Sequence, residues 1–173
     1  MKKVVALIWL LAIGYWLLAI GNGQLAMGNG LLGNNDPFTL RQEALHDIDQ
    51  GRSADAQKKL IQAYGLFVEN ENWDMASMCL YERAIDYMNI GDWANMWIQC
   101  KELKSLNEQY PSSMVAYNYY SVASGYYSYV DSIELAIAHG WRAIDALEQI
   151  DNPSAYNIVP VWSYYNMAFF YDM

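Results

Sequence analysis

The chain has 173 residues, enough for one ordinary domain, and 54% of them are hydrophobic and 15% aromatic. This composition argues against a disordered chain, because disordered chains are poor in aromatic residues. Nineteen acidic residues against ten basic ones give a formal net charge of −9. A phosphate backbone needs a basic surface, so the charge also argues against nucleic acid as a partner.

Residues 1–21 have the pattern of an export signal. Lys2 and Lys3 precede an uncharged apolar run, and Ala19 and Gly21 supply the small residues of a cleavage site. The run is only just short of a full membrane span, so an uncleaved membrane anchor is the alternative. In both cases the sequence predicts an exported protein that is periplasmic or lies at the cell surface. If the segment is not cleaved, it would anchor the protein in the inner membrane.

Residues 22–36 form a predicted linker rich in glycine and asparagine. The pattern LAxGNG occurs twice between residues 18 and 30, and this density of Gly and Asn disfavours a helix. No GK[ST] follows, which argues against a phosphate-binding loop.

From residue 37 onwards the sequence predicts helices. Asp36 and Pro37 suit an N-cap and a first helical position, while Gly51, Gly91 and Pro111 mark helix ends. No strand-like alternation is present, so the predicted fold class is all-α. The predicted units of the domain 37–173 are 37–72, 73–112, 113–153 and an incomplete 154–173.

Residue types recur along this region at a step of forty. The series are Leu40, Leu80 and Tyr120; Ala44, Ala84 and Ser124; and Gly51, Gly91 and Asp131. A fixed period of this size is typical of stacked helical repeats.

The turn Gly91-Asp92-Trp93, preceded by Ala84 and Tyr87, resembles the tetratricopeptide repeat family. Further matching positions are Ala56, Ala63, Ala136, Ala143, Ala168 and Tyr171. The resemblance implies a right-handed superhelix of antiparallel helical hairpins, with about three and a half repeats of roughly 40 residues. The family's period is about 34 residues and it has alanine where Met96 stands, so HEAT-type repeats, whose period is close to forty, are the alternative.

The resemblance implies that the first helix of each hairpin lines a concave face. The predicted ligand-binding positions on this face are Arg41, Met78, Tyr81, Ile85, Met88, Asn118, Ser121, Trp162 and Tyr165, and Phe38, Leu45, Ile48, Gly125, Ser128 and Phe169 are further inward positions. Such a face predicts a groove that binds a protein or peptide. The alternative is that a short stack simply buries these residues.

Tyrosine is concentrated in residues 117–129 and 156–171. Aromatic residues at helical spacing commonly belong to a core. More rings occur here than one helix face buries, so the alternative function is binding of glycans through exposed tyrosines at the cell surface or in the periplasm.

The sequence does not predict an enzyme, a cofactor or a metal site. His46 and His139 fall in different repeats, and no HExxH, GxSxG or Cys-His pattern is present. Cys79 and Cys100 lie on helices of one predicted repeat, where buried thiols are common fillers. A disulfide between them stays open for an exported protein.

Residues 154–173 predict one more first helix, capped by Ser154, without a second helix to pair with it. Because Pro160 lies near its start, a regular helix that begins only there is the alternative. Its aromatic end is unusual, because repeat arrays need a polar terminal cap. Either the chain is the first part of a longer protein, or this helix mediates self-association. The resemblance adds the sensory region of a bacterial sensor protein as a context for the first case.

Overall fold

The computed structural model describes residues 36–156 and 158, all within one compact unit. Six α-helices occupy this region: α1 (Pro37–Asp49), α2 (Ser53–Glu69), α3 (Trp73–Asn89), α4 (Trp93–Gln109), α5 (Ser113–Tyr129) and α6 (Ile133–Leu147). A 3-10 turn follows at Pro153–Tyr156. The described residues contain no strand, so the predicted all-α class is confirmed. None of the described helices is both long and apolar enough to cross a membrane.

The predicted export segment 1–21 lies outside the described residues, as does the linker up to residue 35. The same is true of residues 159–173, which include Trp162 and Tyr165.

The helices follow one another at a regular step. α2, α3, α4 and α5 each have 17 residues, and three-residue linkers separate them. The starts of α2 to α6 therefore recur every 20 residues, at 53, 73, 93, 113 and 133. Two such steps make one hairpin, which is the physical origin of the forty-residue period in the sequence.

The middle residue of most linkers has left-handed backbone geometry, as at Gly51, Glu71, Gly91 and Asp131, with φ between 50° and 75°. At Gly91 the following amide, of Asp92, donates to the carbonyl oxygen of Tyr87 at 2.8 Å. This hydrogen bond closes the end of α3 in the manner of a Schellman motif.

The linker between α4 and α5 differs because Pro111 occupies its middle position. Proline cannot adopt a positive φ. Instead, the extended Ser112 caps α5, and its Oγ accepts a hydrogen bond from the amide of Val115 at 3.1 Å.

Consecutive helices pack against each other as hairpins, and first helices also contact first helices. α3 packs against α1 and α5, while α2 and α4 each pack against the first helix of the next hairpin. α1, α3 and α5 therefore form one layer of the fold. We call the face that the sequence assigns to them the inner face, with side chains at Arg41, Met78, Tyr81, Ile85, Met88, Asn118 and Ser121.

Three buried clusters hold the hairpins together. The first joins α1, α2 and α3 around Leu60 and Phe67. The second joins α3, α4 and α5, and includes Met96, which is fully buried at the position where the repeat family has alanine. The third joins α3, α5 and α6 and also contains Ile158. Fully buried alanines let the helices approach closely; they include Ala44, Ala56, Ala63, Ala76, Ala84 and Ala136.

Candidate functional site

The structure divides the described inner-face residues into two groups. Tyr81, Ile85, Met88 and Ser121 are half-buried. Arg41, Met78 and Asn118 are 5%, 2% and 0% exposed. The sequence places the last three as groups that face a ligand, but the folded chain uses them in contacts between its own helices.

Arg41 is buried because it forms an ion pair with Glu82 of α3. Its Nε donates to Glu82 Oε2 at 3.0 Å, and its Nη2 contacts Oε1. Burial raises the pKa of the Glu82 carboxyl, and the Arg41 charge and hydrogen bond only partly oppose this effect. The pair is thus an internal link between α1 and α3, and it leaves Arg41 without a role in binding an external anion.

Asn118 makes the corresponding contact between α3 and α5. Its Nδ2 donates to Ser77 Oγ at 2.8 Å, and Ser77 Oγ donates to the carbonyl oxygen of Asp74 at 2.7 Å. The sequence pattern alone did not identify Ser77 as its partner, since both residues are small polar groups inside apolar helices.

Tyr81 and Tyr117 form the aromatic part of the inner face. Their ring centroids are 6.2 Å apart. Burial raises the pKa of the Tyr81 hydroxyl well above its usual value, and the neighbouring Tyr117 adds to this shift. Tyr117 itself is 5% exposed and was not among the predicted inward positions.

The chain after α6 returns to this face. In the segment 153–158, of which the structure describes 153–156 and 158, Ile158 is 5% exposed and belongs to the third cluster, with Met78 and Tyr117. Tyr156 packs against both the third and the first cluster. The segment therefore runs from α6 back to the first two hairpins.

The return begins where the sequence predicts the start of another helix. Ser154 does not cap a regular helix there, since its Oγ donates to Asn152 Oδ1 at 2.8 Å. A 3-10 turn forms instead, and the amide of Ile158 donates to the carbonyl oxygen of Pro153 at 3.2 Å. The helix expected to begin at Ser154 is thus not formed over residues 153–156. Sequence patterns missed Tyr156 and Ile158 as inner-face residues because their contacts are distant in the chain.

A separate group of aromatic side chains lies on α4, α5 and α6. We call it the aromatic cluster, and its members are Trp97, Tyr119, Tyr120, Tyr126, Tyr127, His139 and Arg142. Trp97 stacks on Tyr126 with centroids 4.4 Å apart. The rings are half-buried, so they serve both as packing and as surface.

His139 and Arg142 are the polar groups of the aromatic cluster. The ring of Tyr127 is 5.0 Å from that of His139, and Arg142 lies over the ring of Tyr120 at 5.6 Å. His139 Nδ1 is 2.8 Å from the carbonyl oxygen of Leu135, which makes Nδ1 the protonated nitrogen when the ring is neutral.

Two further stacked pairs lie at the ends of helices. Trp73 stacks on Tyr110 at 3.8 Å, and Trp93 stacks on Tyr129 at 3.7 Å. The first pair lines a shallow cleft together with the linkers 70–72 and 110–112. The first pair joins α3 to the end of α4 within one hairpin, and the second joins α4 to the end of α5 in the next hairpin.

The two cysteines are free and buried in different clusters, Cys79 in the first and Cys100 in the second. The structure therefore does not contain the disulfide that the sequence left open. Burial raises the pKa of both thiols, that of Cys100 to about 12. Among the described residues no group of three His, Cys, Asp or Glu side chains is placed to hold a metal ion.

A scan of the chain against models of protein families gives no match. A search of curated proteins likewise finds no significant similarity.

Proposed function

We propose that the protein is a non-catalytic helical-repeat module whose inner face binds a short segment of a partner protein. The observation that carries the proposal is the return of Pro153–Ile158 to that face, where Ile158 is buried beside Met78 and Tyr117. A face that accepts a short segment of its own chain, here a 3-10 turn followed by Ile158, has the shape and the apolar chemistry to bind such a segment from another chain.

The charges of the inner face support binding by apolar burial. Arg41 is its charged member, and Glu82 neutralises it inside the fold. The remaining members are apolar or uncharged. We therefore expect the ligand to be chosen by the shape of its apolar side chains, with little dependence on salt.

We further propose that the repeats are tetratricopeptide-like and that the protein is exported, as residues 1–21 predict. Helices of 17 residues and three-residue linkers are compatible with a repeat of that type with lengthened helices. Export would place the inner face outside the cytoplasm, as in the sensory region of a receptor.

Selection of random ten-residue peptides against the full chain tests this function. We expect the selected peptides to carry bulky apolar residues and to lose binding to an Ile85→Arg variant. Ile61→Arg is the matched control, because Ile61 is 49% exposed on α2, away from the inner face. Peptides that bind the Ile85→Arg protein as well as the unchanged protein would refute the inner face as the binding site.

The aromatic cluster supports glycan binding as a second candidate. Half-buried rings on neighbouring helices, with Arg142 and His139 beside them, combine the stacking surfaces and hydrogen-bonding groups that sugars use. An oligosaccharide array with the full chain tests it. Binding should change the tryptophan fluorescence and be lost in Trp97→Ala but kept in Tyr110→Ala. A silent array would eliminate this candidate.

A further inference from the structure

We infer that Tyr156 and Ile158 of the segment 153–158 are internal occupants of the inner face, and that a partner segment replaces them. The partner would present an aromatic side chain followed two positions later by an aliphatic one. This inference rests on the proposed function and adds to it the kind of ligand and a competitor within the chain.

The anchoring side chains define the ligand. Ile158 is buried in the cluster that contains Met78, Met114 and Tyr117. Tyr156, two positions earlier, reaches both this cluster and the first one. The side chains of these two positions therefore contact apolar groups from more than one hairpin.

Among the described residues of the segment, Tyr156 and Ile158 are the side chains that anchor it to the helices. Its backbone hydrogen bonds, from Ile158 to Pro153 and from Ala155 to Asn152, are local and do not reach a helix. Ser154 and Ala155, which lie between Pro153 and Tyr156, are exposed. Local release of such a segment needs much less free energy than unfolding the domain.

The connection to α6 permits release without unfolding that helix. α6 ends at Leu147, and Gln149, Asp151 and Asn152 are exposed. Asn152 has a φ of 50°, a left-handed conformation that asparagine tolerates better than most residues. The chain can therefore change direction here while α6 keeps its contacts with α5.

A peptide with the sequence of residues 151–160, labelled with a fluorophore, is the probe. Its binding to the full chain is measured by fluorescence polarisation. In the unchanged protein the tethered segment competes at a high effective concentration, so binding should be weak. In Tyr156→Ala/Ile158→Ala we expect the peptide to bind about ten-fold tighter or more, because the internal competitor has lost its anchors.

Ser154→Ala is the control variant, since it changes an exposed residue of the same segment and keeps both anchors. Its affinity for the peptide should equal that of the unchanged protein. Circular dichroism establishes that each variant is folded. If the double variant unfolds, Ile158→Ala alone should shift the affinity in the same direction by a smaller factor.

Equal peptide affinity for the unchanged protein and the double variant overturns the inference, and so does the absence of binding to both. The selected random peptides distinguish this failure from failure of the proposed function. If they bind the inner face while the 151–160 peptide does not compete with them, the binding function stands and the internal occupant is refuted. If no selected peptide depends on Ile85, the function itself fails.

Discussion

Arg41 and Glu82 neutralise each other inside the contact between α1 and α3, although 41 positions separate them in the sequence. The same offset separates Asn118 from Ser77, whose hydrogen bond joins α3 to α5. Polar contacts between neighbouring first helices therefore recur from one hairpin to the next. We expect these contacts to favour one alignment of each hairpin on the next, which apolar packing alone specifies less strictly.

Removing one member of the buried ion pair should destabilise the fold strongly. Arg41→Met leaves the Glu82 carboxylate buried without its partner, at an expected cost of about 3–5 kcal/mol. Arg41→Met/Glu82→Leu removes both charges and should recover most of this loss. Urea unfolding measures the free energies. Lys104→Met is the control, because the Lys104–Glu108 pair is exposed and contributes at most about 1 kcal/mol. A double variant as unstable as the single one would contradict this account.

Two glycines should respond in opposite directions to alanine. Gly91 has a φ of 75° and no neighbouring atom within 4 Å of an added Cβ, so Gly91→Ala should lose about 1–2 kcal/mol through backbone strain alone. Gly65 lies inside α2 and also has open space around it. Gly65→Ala should therefore gain up to about 1 kcal/mol. Thermal unfolding of both variants tests this prediction. A loss of stability in both would contradict it, because the added methyl group and not the value of φ would then set the change in stability.

The same linker geometry occurs at Glu71, with a φ of 55° on a residue that has a side chain. Glu71→Gly should remove that strain and raise the melting temperature. Glu69→Gly is the matched control: it puts glycine into the last turn of α2, where no positive φ is needed, and should lower the melting temperature.

Asp47 should stabilise the protein only while it is charged. Hydrogen bonds from Lys59 and then Arg52 hold the pKa of its carboxyl below the ordinary 3.8. A lowered pKa gives stability that is present above the ordinary value and is lost as the pH falls through the folded value. The urea midpoint of Asp47→Asn should thus lie below that of the unchanged protein at neutral pH, with the gap closing below pH 3.8.

Asp55→Asn serves as the control for this experiment, because Asp55 pairs with Lys58 at the exposed surface. Its midpoint should follow that of the unchanged protein at every pH. A gap for Asp47→Asn that stays constant in acid would mean that its loss is steric rather than electrostatic.

Alkaline pH should destabilise the protein partly through Cys100. Burial raises the pKa of this thiol from 9.0 to about 12. Between these values the unfolded chain loses the proton and the folded chain keeps it, so stability falls as the pH rises. One such group contributes at most about 1.4 kcal/mol per pH unit. Cys100→Ala should show a correspondingly shallower loss in urea titrations above pH 9, whereas Ser105→Ala, at an exposed position, should keep the original slope.

The sequence by itself determined the presence of the six helices between residues 37 and 147 and the linkers between them, because those signals are local. Asp36 caps the first helix, as its position before Pro37 and an apolar run indicates. The positive φ of Gly91 likewise follows from its place at a helix end. Buried alanines at the forty-residue step show that the period also encodes where helices touch.

Only the tertiary structure decided how the inner face is used. Helical periodicity places Arg41 and Asn118 on one side of their helices, but it does not show that Glu82 and Ser77 are there to bury them. The return of Tyr156 and Ile158 depends on contacts with helices far back in the chain. Local propensity cannot encode such contacts, because their free energy comes from apolar surface that exists only after the hairpins have stacked.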